Sequence, residues 1–582
     1  MFAVHAPRAS LPRPASRRSL GAPARASPSV AVGVAKARSA LAALRCAGRT
    51  GRRSSKPTRW TRASSADDAR PKTSLPGREG DVLDASGPSG ALADARAPSH
   101  PNRAFARFVF TAALSMFAFG VATGSVASAL VFLDTASAAS AASGTGPIVP
   151  ALTTNAKAAL VAMTPLGAVA GALAAPRAAN ASGRKKTLLR GAAAPYALGA
   201  FLCAFALTDR GATAFHLCLL VGRAMQGVGA GVSTGVTTMY VSECAPTASR
   251  GSAASLCPLF GTAGIVASYL IGACVAALVD ARHMTPELAW RCALGSCAVP
   301  VLAQVALRDC LVESPRWLAA ANREREARAA AGRLGGGLEA ELFGERDDRD
   351  DRDERASVRS RRSSLSANAS WRLTETRYRD LFATPETRAA TRVAVAINAA
   401  QQFCGINAVV YFFPLVLAGD FGWKRATAMA FAAAVSAAQV AFGAVLARAR
   451  VVDRFGRKPT ALCGIAGLVV GLACLAAGVR GQNAPLAVAG VCAFRLAFAA
   501  SLGPLPYVVA AEVYASSATR ATGVALATAT QWACNALVSG TFLPLVSNLG
   551  PTRVWLVYLA ACVAALAAGA RFAPETKDIR LE

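Results

Sequence analysis

Twelve long apolar windows decide which solvent this chain must face. They fall at about 107–133, 155–176, 187–207, 215–240, 255–279, 289–307, 391–418, 427–447, 459–479, 485–511, 521–546 and 553–573. Each can cross a hydrocarbon core of about 30 Å, which takes roughly 20 helical residues. Large buried helices of a soluble protein are the alternative, but twelve such windows with polar punctuation between them are not a globular pattern. Composition agrees, because 53% hydrophobic and 16% charged residues leave too much apolar surface for one soluble core. The expected fold class is an all-α membrane protein of twelve transmembrane helices, with the lipid bilayer as its first partner.

The formal charge of +30 lies mostly outside those windows, so it does not imply a nucleic-acid partner. Residues 1–66 hold fourteen Lys or Arg and no acid; the first acids are Asp67 and Asp68. Rich in Ser, Ala, Pro and Arg and without a secretory apolar core, this segment has the composition of an organelle transit peptide. A basic tail with no targeting role is the alternative. Residues 67–104 read as a Pro/Gly/Ala linker. The fifteen cysteines are scattered singly, with no metal or disulfide spacing.

Basic residues set the expected orientation. Arg177, Arg184, Lys185, Lys186, Arg250, Arg454, Arg457, Lys458 and Arg520 follow even-numbered windows, as does the long segment 308–390. By the positive-inside rule these loops and both termini share the cytoplasm-like side. An internal repeat then appears. "GRKKT" at 183–187 recurs as "GRKPT" at 456–460, and Glu243 and Arg250 recur as Glu512 and Arg520, at offsets of 273, 269 and 270. The chain therefore reads as two six-helix halves of like orientation, 105–307 and 391–573, joined by a partly helical and partly disordered linker, 308–390, with a tail at 574–582. Such a parallel repeat places a cavity between the halves near mid-membrane.

A set of motifs in order completes the pattern: "GRAMQGVGAG" (222–231), "YVSECAPTASRG" (240–251), "VESPRWL" (312–318), "QQFCGIN" (401–407), "VVDRFGRKP" (451–459), "GPLPYVVAAEVY" (503–514) and "APETK" (573–577). Together they resemble the sugar porter family of the major facilitator superfamily over about residues 105–580. With the transit-like extension, the chain resembles plastidic glucose translocators and facilitative hexose carriers within it. The resemblance implies a transporter with no cofactor and a monomeric transport unit. It also implies a monosaccharide substrate, a hexose with glucose foremost; with the transit-like segment the expected address is the plastid inner envelope rather than a mitochondrion, the plasma or vacuolar membrane being the alternatives.

Within "AINAAQQFCGINAVVYFFPLVLAG" (396–419) the amides are out of place in lipid. An uncompensated amide in apolar surroundings costs roughly 2–7 kcal/mol, so such groups persist where water or a ligand satisfies them. Sugar hydroxyls donate and accept at once, and Gln and Asn match both roles. On an ideal helix Gln401, Asn407 and Tyr411 fall within about 120° of one another while Gln402 points elsewhere; Gly405 is a place where unwinding would bring it round. Amides bonded to a neighbouring helix as packing glue are the other reading. The resemblance implies substrate-binding roles for Gln401, Gln402, Asn407, Tyr411, Tyr507, Gln531, Trp532 and Asn535, with Trp532 facing the sugar's C–H surface. The family's fifth-span Gln, eighth-span Asn and tenth-span Glu are here Pro258, Ala441 and Ala499, which shifts polar contacts to the second half.

"FAFGVATGSVASAL" (117–130) resembles the first-span motif in which proton symporters place an Asp, here Ala122. Alanine carries no proton, so uniport is expected over symport, and Arg223, which such an Asp would face, has no carboxylate partner among the spans. Arg495 sits about eleven residues into the tenth window, where a charge is expensive and a functional hypothesis by default. Snorkelling or carbonyl bonding is one reading; an anionic sugar derivative or organic acid as substrate is another. Arg184, Arg223, Glu243, Arg250, Glu313 and Arg316 in the first half, with Asp453, Arg457, Glu512, Arg520 and Glu575 in the second, match gating positions of the family. Asn180 replaces one acid of that set. In the linker, 323–334 is expected as a helix and 345–370 as disordered, with Ser364 in a basic-directed phosphorylation pattern. No catalytic motif occurs and the four histidines do not cluster, so no enzyme is expected; a transport-inactive sugar sensor is the second class kept open.

Overall fold

The structure, a computed structural model, describes residues 103–143, 149–208, 210–247, 249–335, 337–343, 377–514, 516–573 and 575. Residues 1–66, most of 67–104 and the 345–370 stretch with Ser364 lie outside the described residues, as do the expectations placed on them.

All twelve windows are helical. In chain order the spans are α1 (Arg103–Ser143), α2 (Thr154–Ser182), α3 (Arg184–Ala204), α4 (Ala212–Cys244), α5 (Arg250–Asp280) and α6 (Pro286–Gly295 with Ala298–Ala306). The second half follows with α7 (Pro385–Gly419), α8 (Arg425–Arg448), α9 (Arg457–Arg480), α10 (Ala484–Glu512), α11 (Ser517–Leu549) and α12 (Pro551–Phe572). Ten are long and apolar enough to cross a membrane by length and composition, and α6 joins them if its two pieces, bent by 41°, count as one span. α11 is 33 residues long but falls outside that set, because Gln531, Trp532 and Asn535 dilute its apolar character. No β-strand occurs among the described residues.

Local chemistry sets the boundaries. Thr153, Thr285, Thr384 and Asn483 accept a backbone N–H at the starts of α2, α6, α7 and α10, each satisfying one of the donors a helix start leaves free. Pro286, Pro385 and Pro551 are first helical residues and Pro485 a second one, positions in the first turn where the missing N–H costs nothing. Between the halves lie short helices Pro315–Ala320, Glu324–Leu334 and Leu338–Phe343, the second matching the helix expected at 323–334.

The repeat is visible in the packing. α1 lies against α5 as α7 lies against α11, and α3 against α4 as α9 against α10; between the halves α2 meets α11 and α5 meets α8. Gly227 and Gly231 let α4 approach α2 so closely that a Cβ would meet the Thr164 and Ala168 carbonyls, the small-residue contact of membrane helices. α1 is innermost, with 83% of its apolar window buried in protein, against 22% for α8 and α12. Large exposed side chains such as Phe201, Leu302, Val445 and Val563 are thereby left for lipid.

Three apolar cores follow a simple rule. At the helix ends away from the basic loops, both halves share one core that includes Phe132, Tyr269, Trp290, Phe412, Met429, Phe542 and Trp555. Toward the basic loops the first half has its own core, around Tyr196, Tyr240 and Trp317 and reaching Trp532. The second half has a separate small one around Leu381, Ala394 and Tyr514. The halves thus share one core at one end, and toward the other each has its own core, bridged at Trp532.

Candidate functional site

Two broken helices meet between the halves. α7 stops at Phe403 and restarts at Ile406, because Gly405 takes φ +86°, a left-handed conformation open to glycine at little cost. A side chain there would also strike the ring of Tyr558. α10 breaks over Ser501–Pro504, between helices Ala484–Ala500 and Leu505–Glu512, which frees backbone carbonyls. Gln401 Nε2 donates to two of them, Leu502 O at 2.7 Å and Gly503 O at 3.4 Å. Gln402 Nε2 donates to Gln401 Oε1 at 3.0 Å, and Asn407 Nδ2 to Gln402 Oε1. The break at Gly405 is what brings Gln402 round to Asn407, which an unbroken helix would not do. The relay is buried at Gln401 and Gln402 and half-buried at Asn407.

Around this relay the remaining polar side chains gather from α7, α10 and α11. Tyr411 faces Asn535, whose Oδ1 accepts from Ser539 Oγ at 2.8 Å. Gln531 Nε2 donates to the hydroxyl of Tyr507 at 2.9 Å, while Gln531 Oε1 is buried with no partner. Tyr507 is 43% exposed. The ring of Trp532 lies perpendicular to that of Phe119 of α1, with centroids 5.4 Å apart, and its Nε1 donates to Thr234 Oγ1 of α4 at 3.3 Å. It stitches the second half to the first. Pro258 lies inside α5 and brings no polar group to this cluster.

Arg223 lies on α4 and is 1% exposed. One of its terminal amines donates to the carbonyl of Ala122 and to Gln226 Oε1, both at 2.8 Å. The backbone of Ala122 thus takes the contact that a side-chain acid at that position would offer.

The remaining charged residues form two matching triads at the ends of the halves. Arg184 makes a two-pronged pair with Glu243, Nε and Nη2 each 2.9 Å from a carboxylate oxygen, and Glu313 Oε1 accepts the Arg184 backbone N–H at 2.7 Å. Arg457 pairs with Glu512 at 2.6 Å and Glu575 Oε1 accepts the Arg457 N–H at 2.9 Å. Gly183 and Gly456 open both turns at φ +90° and +93°. These two-pronged contacts are the strong form of the ion pair, and both are made inside one half. Arg250 and Arg316 converge on Glu341, at 3.6 and 3.1 Å, and Arg520 donates to the Tyr514 carbonyl. Asp453 falls in the short helix Val451–Phe455; the expectation for its side chain lies outside the described residues.

Several contributors were not singled out from the sequence. Gln226 stands one helical turn after Arg223 in the "GRAMQG" run, a spacing that carried the signal. Tyr269 of α5 donates to the Val410 carbonyl of α7, and Ser314 Oγ donates to Glu243 at 2.6 Å. Glu341 also accepts from the backbone N–H and hydroxyl of Thr247 at 2.9 and 2.6 Å; nothing local marks it among the linker's acids. No cluster able to hold a metal occurs among the described residues.

Comparison with known proteins places this geometry. The family model described as "Sugar (and other) transporter" matches residues 108–582. Plastidic glucose transporter 4 of Arabidopsis thaliana is 30% identical over 421 residues, covering 72% of this chain and 70% of that protein. The galactose-proton symporter of Escherichia coli K12 is 29% identical over 503 residues, 84% of this chain and 96% of that one. In fold, the xylose transporter XylE of E. coli in a partially occluded inward-open conformation matches with a TM-score of 0.63 at 23% identity, covering 81% of this chain and 100% of that chain. The multi-pass helical bundle of two repeated halves described above has the fold of that structure. The chain belongs to the sugar porter family of the major facilitator superfamily and is a sugar transporter, not an enzyme.

Proposed function

We propose that the chain carries a monosaccharide of the hexose class, glucose being the first to try, through the bilayer by alternating access. The observation that carries this reading is the Asn407–Gln402–Gln401 relay anchored on the broken α10. Anchoring one end orients the amides, and Gln531 Oε1 remains an open acceptor for a hydroxyl donor. Gln401, Gln402, Asn407, Tyr411, Tyr507, Gln531 and Asn535 form the substrate contacts, and Trp532 closes the chamber where the halves touch. The shared core at one end and separate cores at the other suit a rocking motion of the halves about that chamber. The Arg184, Glu243, Glu313, Arg250 and Arg316 set, with Asp453, Arg457, Glu512, Arg520 and Glu575, belongs to the gate.

Coupling follows from Ala122. A proton carrier needs a group that gains and loses a proton facing Arg223; here that arginine meets a peptide carbonyl. The transport is uniport. The transit-like residues 1–66 and the plastidic relative together support the plastid inner envelope as the address. Uptake of labelled glucose into vesicles containing the purified full chain tests the reading: downhill, saturable entry indifferent to an imposed pH gradient is expected, and gradient-driven accumulation would replace uniport with symport. A fluorescent fusion of the first 100 residues tests the address.

A further inference from the structure

Arg495 is the pseudo-symmetry mate of Arg223. The two stand 272 positions apart, within the 269–273 range of the repeat, and each is the eleventh residue after the first of its helix, Ala212 in α4 and Ala484 in α10. At 1.5 Å per residue that is about 16 Å into the span. Arg495 is 4% exposed, so it does not snorkel to a membrane surface.

Neither arginine is neutralised. Arg495 donates to Ser436 Oγ at 2.7 Å, Arg223 has the Ala122 carbonyl and Gln226, and the Nε of each is buried with no partner. The titratable groups facing Arg223 are Cys203, Tyr411 and Cys297, and those facing Arg495 are Tyr269 and Cys492. None is a carboxylate. Tyr411 stands near Arg223 and Tyr269 near Arg495, and Tyr269 donates to the carbonyl of Val410, the neighbour of Tyr411, so the two tyrosines link the cations of the two halves.

From this arrangement we infer that the substrate is a monosaccharide bearing an anionic group, a phosphate or a carboxylate, with the amide relay reading the hydroxyls and the Arg223–Arg495 pair reading the charge. This rests on the carrier reading above and narrows its substrate. Guanidinium forks match both anions in geometry, and a buried cation without a counter-ion is costly enough to mark a functional site. The anion supplies the missing counter-charge on binding and leaves with the sugar.

The test is uptake of labelled glucose into vesicles holding the full chain, with phosphate inside to permit exchange, competed by unlabelled glucose, glucose 6-phosphate or gluconate. At least one anionic competitor is expected to act at a tenfold lower concentration than glucose, and direct uptake of labelled glucose 6-phosphate or gluconate says which anion is carried. This needs no variant, so it does not depend on the folding of one. Arg495→Gln is expected to reduce that advantage tenfold or more and Arg495→Lys to keep most of it, with vesicle-incorporated protein quantified for each. Glucose competing as well as both anions would overturn the inference while leaving the carrier reading intact, as would an advantage that survives Arg495→Gln. Entry of none of the three sugars would overturn both.

Discussion

The two halves agree at their charged ends and disagree in the middle. Arg184, Glu243, Glu313 and Gly183 recur as Arg457, Glu512, Glu575 and Gly456 with the same bonds and nearly the same φ. At mid-membrane the amides Gln401, Gln402, Asn407, Gln531 and Asn535 all belong to the second half, while the first offers Phe119, Thr234 and Arg223. Repetition has kept the parts that hold each bundle's turn together and released the mid-membrane polar set proposed here as substrate contacts. At that depth Arg223 and Arg495 are matched in both position and burial.

Breaking the asymmetric part should do most. Gln402→Ala leaves Gln401 Oε1 and the Asn407 amide without their partner, at about 1–3 kcal/mol for an unmet buried group. Uptake per folded protein should drop roughly 10- to 100-fold; wild-type uptake would remove Gln402 from the site. The symmetric part is tested by a matched pair. Arg184→Ala and Arg457→Ala each strand a carboxylate and should lower the apparent melting temperature similarly, by about 2–4 °C per kcal/mol lost. A large drop for one and none for the other would show that the triads are not equivalent.

Gly183→Ala and Gly456→Ala should each cost about 1–3 kcal/mol or more, because φ near +90° with ψ near 165° is a conformation essentially only glycine adopts and a Cβ there would meet the Glu313 or Glu575 carboxylate; a thermal-shift assay reads whether the two agree. The smallest effect distinguishes the halves by pH. Burial pushes the Glu341 carboxyl up, but hydrogen bonds from Thr247, then Arg316 and Arg250, outweigh it and hold it below the usual carboxylate range. Its contribution is therefore complete above the ordinary carboxylate value of about 4.3 and is lost as pH falls through the lower, folded value. Protection of the Thr247 amide, its exchange measured against the intrinsic rate at the same pH, should fall on acidification below about pH 4.3, whereas at Arg520, which is held by the Tyr514 carbonyl, no matching loss is expected from that bond.

Much of this was legible in the sequence because lipid imposes simple rules on length and polarity. The spans, the repeat, the triad residues and the Gly405 break could each be read from local chemistry. The anchor of the relay could not, since Leu502 and Gly503 act through backbone carbonyls that carry no residue signature. Trp532 was recognisable as a site residue, but periodicity does not say which neighbouring helix an indole will meet. Glu341 resembles any other acid of a charged surface segment until the fold brings Thr247, Arg250 and Arg316 to it. The mate of Arg223 was present in the numbering, yet only its burial and its missing counter-ion give the symmetry a meaning.

The most direct test of the central claim is counterflow: vesicles containing the full chain are preloaded with unlabelled glucose, and entry of labelled glucose is followed after the proton gradient is collapsed with an ionophore. A transient overshoot, abolished by Gln402→Ala, is expected of a uniporter whose amide relay holds the sugar. Absence of any overshoot in the wild-type protein, with glucose and with glucose 6-phosphate or gluconate in its place, would contradict the account.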